Sequence, residues 1–251
     1  MSTSKRALIG FVAVGLLMAA FPIAAQAQSE YDRPQTDATD EHRAGSLADA
    51  KARVIKQVEQ RLQILDRLIR KVTTALSVTD QHEAALLGDY EKASRILVAG
   101  LDTVAATETL QELREVAPPI FESTLVKALL VPKTKAVGAS DYVASVTARF
   151  ERIESRLGEA LDRLAAAGID VSRAEDDLAK AERLVADAVT TGSAVADRVI
   201  ALQPGDEIRK PLSEAKSDLQ HSRRLLGEAR ASVREVIRFV WNTMSNQDGE
   251  G

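Results

Sequence analysis

Three histidines, His42, His82 and His221, are the side chains best suited to ligate a metal or act as a general base near neutral pH. They are single residues far apart in the chain, and none has the clustered partners that metal-ligand spacing requires. His82 stands near Asp80 and Glu83 at an expected helix start, and His221 flanks Ser222 on a charged stretch, so both read as solvated or cap-adjacent side chains. The neighbouring carboxylates Asp176 and Asp177 have the chemistry to share a proton or bind a cation. They fall in the first turn after Ser172, however, where acidic groups favour the positive end of a helix, and sequence neighbours point to different helix faces. Glu151, Glu154 and Glu159 interleave with Arg149, Arg152, Arg156 and Arg163, the pattern of weak ion pairs on an exposed face. No Gly-x-Ser-x-Gly elbow, no Ser-x-x-Lys in a suitable context and no Gly-rich phosphate loop occurs. With no cysteine there is neither a thiolate nucleophile nor a disulfide framework. The expectation is therefore no catalytic, cofactor-binding or metal residue, no cofactor, and a protein that is not an enzyme.

The elements that would carry these residues are helices. Aromatic residues are few, while Ala, Leu, Glu, Asp and Arg are abundant, a composition that suits long helices rather than sheets. From a plausible N-cap at Ser46, the residues Ile55, Val58, Leu62, Leu65, Ile69, Val72 and Leu76 alternate steps of three and four along one helical seam. Thr79 would cap a second helix through Leu86, Tyr90, Ala93, Leu97 and Val104. Thr107 would cap a third, with Leu110, Leu113 and Ala117, which the pair Pro118-Pro119 must end or kink. Ile120 to Val131 reads as a short apolar continuation, and Pro132 as a boundary.

Beyond Pro132 three long seams follow. The first runs Ala139, Val143, Val146, Phe150, Ile153, Leu157, Ala160, Leu164 and Ala167, and Gly168 with Ile169 would close its helix. Ser172 and Glu175 form a capping-box pattern, opening a helix with Ala174, Leu178, Ala181, Val185, Ala188, Gly192, Val195, Val199 and Leu202, which Pro204-Gly205 ends. The last carries Leu212, Ala215, Leu219, Ser222, Leu226, Ala229, Val233, Val236 and Val240. Ser222 is the polar residue on that seam and is expected to bond its own backbone. Gly158 and Gly192, inside helices, are either tight contacts or tolerated gaps. Trp241, with Phe239 and Met244 beside Arg238, would close the end of the bundle, the alternative being contact with a partner or membrane surface.

The N-terminus has the three parts of a cleavable secretory signal: Lys5 and Arg6, the uncharged apolar run Ala7 to Ala25 broken by Pro22, and Ala25-Gln26-Ala27 as the exit site. An uncleaved anchor is the alternative, because that run approaches the ~20 residues that cross a bilayer. Cleavage after Ala27 removes Lys5 and Arg6 but no acid, taking the formal charge from −4 to −6. In stretches such as Glu151-Arg152 and Arg183 to Asp187 basic residues alternate with acidic ones, which speaks against a nucleic-acid partner.

The stretches LLVPKTKAVGASDYVASVTARFERIESRL, AAAGIDVSRAEDDLAKAE and VIALQPGDE cover the start and connections of those long helices. In them the chain resembles a group of exported helical-bundle proteins from Gram-positive bacteria, mainly high-GC ones. The resemblance spans most of the mature chain, implies helix ends and connections, and transfers no catalytic residue.

The reading is an all-α chain: an elongated antiparallel helical bundle with coiled-coil-like heptad seams, built from two three-helix units. Its parts are a signal peptide (1–27), a flexible tether (28–45), an N-terminal helical unit (46–131), a C-terminal three-helix bundle (132–245) and a disordered tail (246–251). The expected role is an exported scaffold or binding protein of the cell envelope or extracellular space, or of the periplasm in a cell with two membranes. Its partner would be a protein or envelope component, without a stable membrane span after cleavage, and self-association through the seams is open. The alternative role is an envelope chaperone-like protein, or an enzyme whose site is assembled from distant carboxylates.

Overall fold

The computed structural model describes residues 47–247, which are 86% helical and contain no strand, so the all-α class holds. The signal segment, the 28–45 tether, Ser46, His42 and the tail from 248 lie outside the described residues. The elements are α1 (Leu47–Thr73), α2 (Asp80–Ala106), α3 (Leu110–Glu122), a π-helical turn (Val126–Leu130), α4 (Val131–Ala166), α5 (Ser172–Gly192), α6 (Val195–Ile200) and α7 (Arg209–Gln247).

Helix ends follow local chemistry, in places one turn away from where the sequence pattern put them. Thr79 caps α2 as expected, its Oγ1 accepting from the His82 amide at 3.3 Å. Thr107 does not cap α3. It closes α2, donating its hydroxyl to the Val104 carbonyl, and Thr109 with Glu112 makes the capping box two residues later. Pro118-Pro119 do not end α3 either. The helix runs on to Glu122, and Ser123 closes it by donating its amide and hydroxyl to the Pro119 carbonyl; the carbonyls that lose a helical donor to the two prolines are those of Arg114 and Glu115.

The end of α4 is as the sequence implies. Gly168 takes φ +82°, its amide bonds Ala165, and the Ile169 amide bonds Leu164, a Schellman closure. The expected capping box at Ser172 is absent, because Asp170 takes the role. Its Oδ1 accepts from both the amide and the hydroxyl of Ser172, so that hydroxyl is engaged as a donor and caps nothing. These two bonds also hold the Asp170 carboxyl below its ordinary value.

Packing divides the helices into mutual partners. α1 lies along α2 and α3 packs on both; α5 lies along α7, and both pack on α4. Val58, Leu65 and Val72 of α1 meet Leu86, Tyr90, Leu97 and Val104 of α2 in a core that also takes in Ile120 of α3 and Leu129 of the π-helical turn. The same core contains Val137 of α4, Val195 and Val199 of α6 and Ala215 of α7, so chain on both sides of residue 131 shares it. Elsewhere Phe150, Leu157 and Leu164 of α4 are buried, as are the small Ala174, Ala181 and Ala188 of α5 and the Ala229, Val233, Val236 and Val240 series of α7. Alanines on α5 let α7 approach closely, while each buried Leu or Phe contributes about 1.5–3 kcal/mol of transfer free energy.

Three apolar residues depart from their expected seams. Leu76 lies past the end of α1 and is fully exposed. On α7 Leu225 is buried, and Leu226 only in part. Trp241 does not close the core; it is 47% exposed, while its neighbour Val240 faces inward.

Candidate functional site

Where α2, α4 and α6 meet, the interior is polar. Lys133, Thr134, Ser140 and Asp141 of α4 are all buried, an unusual set for one stretch of helix because a buried charge is costly unless paired and hydrogen-bonded. Each has partners on another helix, on a connection or one turn back. Lys133 Nζ, with no exposed surface, donates to Asp89 Oδ2 of α2 at 2.6 Å and to the Leu202 carbonyl after α6 at 2.7 Å. The Tyr90 hydroxyl donates to Thr134 Oγ1, whose own hydrogen goes to the Leu130 carbonyl at 2.6 Å. Burial is the main reason the Tyr90 phenol is pushed up to about 12; Thr134 acts the other way, and the charge of Asp89 adds to the rise.

Ser140 has a different use. In an unbroken helix the Ala196 amide would donate to the Gly192 carbonyl, but here Ser140 Oγ stands between them. It lies 2.7 Å from the Gly192 oxygen and 2.8 Å from the Ser193 oxygen, and accepts from the Ala196 amide at 2.9 Å. A side-chain hydroxyl inserted in the ladder is a recognised cause of helix breaks. It accounts for α5 and α6 being two helices where the seam through Leu202 implied one. Gly192 must be glycine at this point, since a Cβ would meet Ser222 Oγ at 2.7 Å and Val143 Cγ1 at 3.0 Å. Ser222 itself donates to the Asp218 carbonyl of its own helix, as expected.

His82 is the one sequence candidate the structure places in this seam, and it is not solvated. Its side chain is 11% exposed and is gripped from both edges. Nδ1 lies 2.8 Å and 3.0 Å from the two carboxylate oxygens of Asp141, and Nε2 lies 3.2 Å from Asp197 Oδ1. Asp141 is 5% exposed and also accepts from the Thr79 amide at 3.0 Å; Asp197 is 77% exposed. Carboxylates at both ring nitrogens make each nitrogen a donor, which is the imidazolium form. Burial alone pushes the imidazole down, but hydrogen bonds and charges from Asp141 and Asp197 outweigh it and hold the group above its ordinary value.

This arrangement does not suit catalysis or metal ligation. The two carboxylates sit at opposite edges of the ring, so the three groups do not converge on one point, and no described set of His, Cys, Asp or Glu could hold a metal ion. No hydroxyl stands at Nε2 to be activated, because Asp197 occupies that edge. A cavity of 20 Å³ bordered by Asp89, Thr124, Leu129, Leu202 and Pro204 has room for about one water.

The other candidates lie apart from the seam. Asp176 is exposed on α5 but, because Val171 rather than Ser172 is the N-cap, it lies past the first turn, whose acid is Glu175; His221 is exposed on α7 with Nδ1 3.1 Å from Arg224 Nη2. Glu154 does not sit among compensating arginines. Its carboxyl is raised by burial first and then by Glu182 and Glu151, and Arg149 instead faces the Tyr142 ring.

The seam residues Lys133, Ser140, Asp141 and Asp197 were missed as a site. A signal was present: Lys133-Thr134 and Ser140-Asp141 are polar pairs seven residues apart flanking Val137, hence on one inward face of α4.

Comparison with protein-family models, with curated proteins and with solved structures gives no match for this chain.

Proposed function

We propose that the protein is an exported helical scaffold or binding protein of the cell envelope or extracellular space, acting through its helix surfaces rather than by turnover. The observation that carries the reading is the use made of the interior polar groups. Lys133, Asp141, Ser140 and His82 each bond across to another helix or connection, and no buried side-chain nitrogen or oxygen among the described residues lacks a partner. Groups satisfied in this way hold helices in fixed relation to one another.

Export is supported by Lys5 and Arg6, the apolar run to Ala25 and the Ala25-Gln26-Ala27 exit site, and it agrees with the resemblance to exported Gram-positive proteins. No described helix is long and apolar enough to cross a membrane. The 28–45 segment, polar and proline-containing, would serve as the tether between the processed end and the helices. Fractionation of cells expressing the full chain, with N-terminal sequencing of the product, tests the proposal. A form starting at Gln28 outside the cytoplasm is expected; an uncut form held inside would overturn it.

A further inference from the structure

We propose that the outward face of α7 is a docking surface for an anionic phospholipid bilayer. At the 100° per residue of an α-helix, Lys216, Arg223, Arg230, Arg234 and Trp241 fall within about 40° of one line, running ~37 Å along the axis. All five are exposed. The four acids of α7 lie off this line, and each is taken by a different cation: Glu214 by Lys210, Asp218 by Arg198, Glu228 by Arg224 and Glu235 by Arg238. No ion pair among the described residues includes any of the four stripe cations, and all four are exposed to solvent. A chain with a net charge of −4 thus carries a long face of the opposite sign.

The shape of the stripe selects the partner. A straight row of cations seven, seven and four residues apart meets a plane of phosphates along its whole length, and each basic side chain near such a surface adds to attraction. The tryptophan at its end supplies the amphipathic ring that settles at headgroup level. Single-stranded nucleic acid would call for aromatics interleaved with the cations for stacking, and here the aromatic stands only at the end. Sequence order hides the face, because Glu214, Asp218, Glu228 and Glu235 alternate with the bases in the linear chain. The inference names a partner for the binding role proposed above. It is tested in vitro, apart from export, so either can fail alone.

Trp241 is the only tryptophan, so its fluorescence reads this face directly. The chain from Gln28, which keeps the whole compact unit Ser46–Gly251, is mixed with phosphatidylcholine vesicles with or without about one third phosphatidylglycerol. A blue shift of Trp241 and co-sedimentation are expected with the anionic vesicles alone, reversed at about 0.5 M salt. The triple variant Arg223→Gln, Arg230→Gln, Arg234→Gln should bind about a hundredfold more weakly with unchanged helicity. Equal binding to neutral vesicles, no binding to anionic ones, an unaffected triple variant, or tighter binding to duplex DNA than to vesicles would each overturn the inference.

Discussion

At the scale of single residues, the chemistry in this chain is that of joints. His82 combines a buried Asp141 with an exposed Asp197, and these two contacts differ in worth: the first is sheltered, and the second is screened by solvent. The folded imidazole titrates above its unfolded value of 6.5, so the clasp stabilises in full below that pH and fades as pH rises through the higher folded value. Urea denaturation at a series of pH values should show the wild type losing stability through that window relative to His82→Gln. Parallel curves for the two proteins would count against the clasp. The histidine was legible in the sequence as cap-adjacent, which it is; its partners were not, since Asp141 and Asp197 lie 59 and 115 residues away.

At the scale of elements, periodicity located the long helices well and their breaks less well. On the α4 seam Val143, Phe150, Leu157, Ala160 and Leu164 are buried, while Ala139, Val146 and Ile153 are half-buried and Ala167 is exposed; Gly168 ends that helix as its position implies. The break after Gly192 had no local signal, because its cause is the Ser140 hydroxyl arriving from α4. Two prolines did not stop α3, which runs through them to Glu122 and ends where the Ser123 hydroxyl and amide bond the Pro119 carbonyl. The helical glycines separate by space in the same way. Gly192→Ala drives a methyl into Ser222 and Val143 and should cost about 1–3 kcal/mol. Gly158→Ala meets nothing within 4 Å and should add ~0.5–1 kcal/mol by restricting the unfolded chain. Thermal melting of the two variants checks both signs, and a stable Gly192→Ala would mean that the helices are free to spread there.

At the scale of the whole described unit, the polar seam lies where the sequence suggested a division at 131/132. The apolar pattern does lapse there, and Pro132 reinforces the impression of a boundary, yet Pro132 sits in the first turn of α4, where proline is tolerated. What fills the gap is the ion pair of Lys133 with Asp89, together with its bond to the Leu202 carbonyl, joining α2 to the chain beyond α6. Removing one partner of a buried pair leaves the other uncompensated, at a cost of about 3–5 kcal/mol. The most direct measurement is therefore guanidinium unfolding of Lys133→Ala, followed both by circular dichroism of all helices and by fluorescence of Trp241 on α7. Both transitions should shift together to lower denaturant by that amount. A Trp241 transition that stays at its wild-type midpoint while the dichroism signal moves would contradict the account, because the seam would then join nothing.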